Sequence, residues 1–210
     1  MISVGLIESD SACHSEPSYS HLTLAFMYSS RFTRISAGVL FLLLQLSLSC
    51  HAQALEAPTG RVILTVTGEI GVTNAMAPDA GNDQPQAASA QFDLAQLEAL
   101  GLMKVATETP WTDGLVQYEG VLVRDLLEFL KADGAFVNAA ALDDYIVKLP
   151  IEDFLEYDVI IATRIDGKPM RVRQNGPLWI IYPWTDVSEL RRPHFYSRSV
   201  WQLKTLTVLP

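Results

Sequence analysis

The chain has 210 residues, 49% of them hydrophobic, and a formal net charge of −9. This composition suits a soluble globular protein. The acidic balance, with no basic stripe to meet phosphates, argues against a nucleic-acid partner.

Residues 1–26 are polar and acidic, and are read as a gene-model extension ahead of a true start at Met27. From there Arg31 and Arg34 form a basic stretch, and Ile35 to Leu48 an apolar one too short to span a bilayer comfortably. Ala52-Gln53-Ala54 is a small-x-small cleavage site. Residues 27–54 are therefore expected to be a secretory signal peptide cleaved near Ala54. Residues 55–210 would remain as a single periplasmic domain. The only cysteines, Cys13 and Cys50, precede the cut, and His194 is the one histidine after it. Such a mature domain has no thiolate, which excludes a zinc–thiolate site, c-type haem attachment and a cysteine nucleophile. Its charge stays acidic, with 13 Lys+Arg against 21 Asp+Glu in 55–210, a balance of −8.

In the mature part, Arg61–Gly68 (RVILTVTG) is β-branched and alternating, and predicts a strand. Ile70–Ala90 is rich in Gly, Ala, Asn, Asp and Pro and predicts a long surface loop. Phe92–Gly101 (FDLAQLEALG) predicts a helix capped by Asp93 and stopped by Gly101. The strand LMKVATET follows, then the segment Thr107–Gly114 (TETPWTDG), and VQYEG as a short strand. VLVRDLLEFLKADG is the clearest helix, with Val123, Leu126, Leu127 and Leu130 on one face. AFVNAAAL and YIVKLP predict strands flanking Asp143-Asp144, and IEDFLEY one helical turn. DVIIATRIDGKPMRVR predicts a hairpin about Asp166-Gly167. PLWIIYP predicts a strand stopped by Pro183, and SVWQLKTLTVL an imperfectly alternating closing strand. Strands outnumber helices without regular alternation, so the expected class is α+β with mixed β-sheets.

Three places gather chemistry-capable residues where strands end. In Glu108-Thr109-Pro110-Trp111-Thr112-Asp113, Pro110 takes the chain out of the sheet, and Trp111 presents an indole that either caps the core edge or faces a ligand. Asp143-Asp144-Tyr145 pairs carboxylates before an aromatic, either to hold an amidine-like group or as a solvated turn. Strand alternation would put Arg171 and Arg173 on one face, as a solvent row or as a pair lining a pocket. No GxSxG, HExxH or phosphate-cradling glycine loop occurs.

Taken together, FDLAQLEALG, TPWT, GVLVRDLL, DGKPMRVR, GPLWIIYP and RSVWQLK resemble the molybdopterin-binding domain of the sulfite-oxidase superfamily, over roughly Leu64 to Val208. The resemblance is closest to short secreted members of that group. It implies a sulfite-oxidase-like fold, and a molybdenum-ligating cysteine just after the strand LMKVATET, where this chain has Thr107 to Pro110 and no sulfur. It further implies a periplasmic pterin-binding protein that expects no molybdenum and acts on the periplasmic region of a membrane-bound enzyme making or degrading cyclic di-GMP. The alternative it implies is a molybdopterin-dependent oxidoreductase. For a flat pterin, Trp111 would be the stacking face, with Tyr145 or Tyr182 opposite. Asp144 or Glu108 would accept from the aminopyrimidine edge, Thr109 would lie beside it, and Arg173 would serve a ring carbonyl or a side-chain hydroxyl.

Overall fold

The structure is a computed structural model that describes residues 55–76 and 88–210. The leader, both cysteines and part of the 70–90 loop lie outside these residues.

In chain order the elements are β1 (Leu64–Gly68), β2 (Ala75–Met76), β3 (Ala88–Phe92), α1 (Leu94–Glu98), β4 (Met103–Glu108), β5 (Leu115–Leu122) and α2 (Val123–Phe129). They continue as β6 (Phe136–Ala141), β7 (Ile146–Pro150), α3 (Glu152–Glu156), β8 (Ile160–Ile165), β9 (Lys168–Pro169), β10 (Trp179–Ile181), α4 (Pro193–Ser197) and β11 (Leu203–Leu209). One sheet runs β2-β3-β1-β11-β6-β7, and the other β10-β8-β5-β4 with β9 beside β8. Among the described residues β1 and β11 are the one parallel pair, so the six-stranded sheet is mixed, and the class is α+β.

Local chemistry explains these elements. Asp93 caps α1 through Gln96 N, and the Gln96 side chain returns to Asp93 N, a reciprocal capping box. The Asp93 carboxylate also accepts from Gly60 N at 2.8 Å, tying the chain before β1 to the start of α1. Helix α2 buries Val123, Leu126 and Leu127, the face its spacing predicts. At Gly120, where β5 shifts register against β8, a Cβ would collide with the Ile161 carbonyl. The missing side chain is what lets the two backbones approach there. Strand β11 alternates imperfectly because its pairing to β6 slips between Leu203 and Thr205.

Two segments depart from expectation. The 70–90 region contains β2 and β3, because Asn74 donates to Gln91 O and accepts from Gln91 N, substituting side-chain bonds for a ladder. The Asp166-Gly167 hairpin forms, but its second arm is only Lys168–Pro169. The chain then turns into a 3-10 helix, Val172–Gln174, which ends on Asn175 with φ 62°. Arg171 and Arg173 therefore do not alternate along a strand.

Both sheets and α2 contribute to one buried core. It runs from Leu64, Val66 and Phe92 through Tyr118 and Ile161 to Trp179 and Trp184. Each fully buried indole adds roughly 4–6 kcal/mol of transfer free energy before entropy is subtracted.

Candidate functional site

The segment after β4 is held by its hydroxyls. Thr109, nearly buried, receives the Trp111 N–H on its Oγ1 at 3.2 Å and shares a 2.8 Å hydrogen bond with the Thr112 hydroxyl. This side-chain turn follows from Ser/Thr placed where Pro110 has already broken the sheet ladder. The base of the segment is anchored too: Thr185 Oγ1 accepts from Glu108 N at 2.9 Å, and Thr185 N donates to Thr107 Oγ1 at 3.1 Å. Beneath it lies Tyr118, fully buried. Burial pushes its phenol pKa up against a smaller pull from the Thr112 and Thr109 hydroxyls, and neither meets hydrogen-bond geometry with it.

Trp111 rests on rings. Its centroid lies 5.4 Å from Trp201, 5.9 Å from Trp179, 6.2 Å from Tyr196 and 6.3 Å from Trp184. All four tryptophans of the chain thus meet at one place. Trp179 and Trp184 are buried, whereas Trp111 remains 38% exposed and Trp201 36%. Trp179 is fixed through Nε1, which donates to Ser199 Oγ at 2.9 Å, and that hydroxyl donates to Ile180 O at 2.7 Å. Edge-to-face and tilted contacts at these distances favour defined ring orientations. Trp111 is consequently a preset surface.

Beside it opens a cavity of about 350 Å³, lined by Trp111, Tyr145, Tyr196, Trp201, Asp143 and Ser199 among others. Its walls come from the β4–β5 loop, the β6–β7 turn and the stretch joining α4 to β11. Tyr145 reaches across to donate its hydroxyl to Ser197 O at 3.0 Å, linking the β6–β7 turn to the end of α4. Asp143 Oδ1 accepts from Tyr145 N at 3.2 Å, which shapes the turn. Aromatic walls with one carboxylate and a few hydroxyls can hold a flat heterocycle by stacking and accept from a donor edge.

The candidate residues divide accordingly. Trp111 and Tyr145 line the cavity together, and Thr109 holds the loop below. Asp144 is exposed with φ 65°, and its neighbour Asp143 is the carboxylate on the wall. Glu108 is exposed and off the cavity. Arg173 lines a different groove, with Lys168 and Arg171, because the 3-10 turn carries it there. Tyr182 is corrected outright as a cavity wall. It is 0% exposed, and its hydroxyl donates to Asp153 Oδ2 at 2.8 Å. Burial, followed by the nearby Asp153 charge, drives its pKa well above the ordinary value. Asp153 also takes Arg198 Nη1 on both oxygens, at 2.9 and 2.7 Å. Sequence reasoning missed Trp201, Tyr196 and Ser199, and within the Asp143-Asp144 pair it chose Asp144 as the acceptor. Reading SVWQLK as a strand concealed Trp201.

Metal chemistry is a separate question. Among the described residues no group of three or more His, Cys, Asp or Glu could hold a metal ion. No cysteine occurs anywhere in 55–210. In the zone Thr107–Pro110 the side-chain donors are all oxygens: two threonine hydroxyls engaged with Thr185, Thr112 and backbone groups, and the exposed Glu108 carboxylate. Such donors do not fit a soft metal bound through a protein thiolate.

Residues 90–187 match the family model described as the oxidoreductase molybdopterin binding domain. No curated protein matches the chain.

Proposed function

We propose, from the match of residues 90–187 to the oxidoreductase molybdopterin binding domain, that this chain is a pterin-binding module that works without metal catalysis. The observation that carries the reading is Trp111, an indole kept 38% exposed on four supporting rings at the mouth of an aromatic cavity. A pterin ring would stack on Trp111 within reach of Tyr145. Its 2-amino and N3 donor edge would meet the Asp143 carboxylate, which takes the place expected of Asp144. The donor chemistry of Thr107–Pro110 supports noncovalent capture over metal ligation. When present, the family's metal-bearing cofactor would supply oxo transfer. The residues around this cavity offer that cofactor stacking and hydrogen bonds, and no thiolate.

The signal-peptide pattern at 27–54 supports a periplasmic site of action. The proposed downstream partner is the periplasmic region of a membrane-bound enzyme of cyclic di-GMP metabolism, read out through binding and not through turnover. Titrating reduced and oxidised pterins while following tryptophan emission tests the module directly, because every indole lies in the cluster. Saturable quenching is expected. Stoichiometric molybdenum in protein purified from the periplasm would instead support the oxidoreductase reading, and absence of any pterin response would remove this one.

A further inference from the structure

One face of the molecule carries charge that the fold does not use. Lys168, Arg171 and Arg173 are exposed and line a groove of about 720 Å³ with Asp166 and Gln174. None of these three cations joins an ion pair among the described residues, whereas Arg124, Arg164 and Arg198 each do. In a chain of net charge −9 this is a local reversal of sign. Asp143 and Asp144 stand exposed on the β6–β7 turn.

Gln202 fixes how the two charged turns are disposed. Its N–H donates to Asn175 O and its side chain to Val172 O, both at 2.9 Å, while its own carbonyl accepts from Leu142 N at 2.9 Å. The basic turn and the acidic turn therefore flank the Trp201–Gln202 segment on opposite sides. The ground between is apolar. Leu142, Val172 and Trp201 are three of the ten large hydrophobic side chains that remain exposed among the described residues, while Trp111 and Tyr145 line the cavity. Exposed apolar side chains between charged turns of opposite sign are the composition of an interaction surface.

We propose that this face is a two-fold interface between copies of the chain. A two-fold axis through Trp201 sets the 168–173 turn of one protomer against the Asp143–Asp144 turn of its partner, and the reverse contact forms by symmetry. Isologous interfaces require such self-complementarity: one surface with opposite charges on opposite sides of an apolar centre.

Analytical ultracentrifugation of the purified protein tests this. A dimer is expected, loosening as salt screens the two charged contacts. Arg171→Glu/Arg173→Glu and Asp143→Lys/Asp144→Lys should each weaken association at least about tenfold, and mixing the two variants should restore a dimer between them. Val172→Glu, on an exposed position of the 3-10 turn, should also yield folded monomer. Wild-type protein that stays monomeric at roughly 100 µM, or a Val172→Glu variant that dimerises as tightly as wild type, would overturn the proposal. Pterin binding by wild-type protein that stays monomeric would leave the ligand reading standing and end this one.

Discussion

Tyr182 and Trp111 belong to one aromatic cluster, joined through Trp184, whose ring lies 5.8 Å from the first and 6.3 Å from the second. Tyr182 has its polar handle satisfied by Asp153, and no part of it reaches solvent. Trp111 packs against four rings and still keeps 38% of its surface exposed. A buried, hydrogen-bonded aromatic is scaffold, because moving it leaves polar groups unpaired. An aromatic held in place yet still wet is able to bind. The difference lies in where each side chain's free surface points, which residue type alone does not reveal.

The contrast can be broken from the scaffold side first. Asp153→Ala strips the acceptor from both Tyr182 and the half-buried Arg198, leaving a cation without its partner. It should cost about 3 kcal/mol in urea unfolding. Tyr182→Phe removes only the hydroxyl and should cost about 1 kcal/mol. Neither residue lines the cavity, so in folded protein at low temperature pterin affinity should hold for Tyr182→Phe. A Tyr182→Phe variant of native stability but weakened binding would place Tyr182 back at the ligand.

A smaller effect comes from pH. Arg164, donating to Glu98, holds that carboxyl below its usual 4.5, and backbone N–H groups led by that of Gln96 hold Asp93 below 3.8. Both folded-state values are depressed. Their stabilising contributions are therefore present above the ordinary carboxylate range and fade as pH falls through the depressed values. Tyr182 and Tyr118 titrate above their usual 10.0 when folded, mainly through burial. Their contribution is full below that value and is lost as the medium turns more alkaline. Denaturant midpoints measured across pH should show a plateau with losses at both ends. A midpoint insensitive to acid would contradict the roles given to Glu98 and Asp93.

Much of the scaffold was legible because its signals are local. Asp93 three residues before Gln96, the 123–130 apolar face and the Asp166-Gly167 turn each act through near neighbours. The candidate site was legible only in part. Trp111 and Tyr145 stood out as aromatics at strand ends, and both reached the cavity. Arg173 was misplaced because strand alternation was extended past Pro169, where the ladder stops and a 3-10 turn begins. Tyr182 was misplaced because Asp153, the residue that fixes it, lies 29 positions earlier. Trp201 was overlooked because its place depends on pairing with Trp179 across the chain. These are tertiary facts, carried by no window of the sequence.

The account rests on Trp111 as a binding face, and calorimetric titration of a pterin into wild type and Trp111→Ala measures that face directly. Loss of one stacking surface should weaken binding by about 1–3 kcal/mol, roughly 5- to 150-fold in Kd, in a variant whose near-ultraviolet spectrum shows the remaining rings still packed. Equal affinity in wild type and folded Trp111→Ala would contradict it.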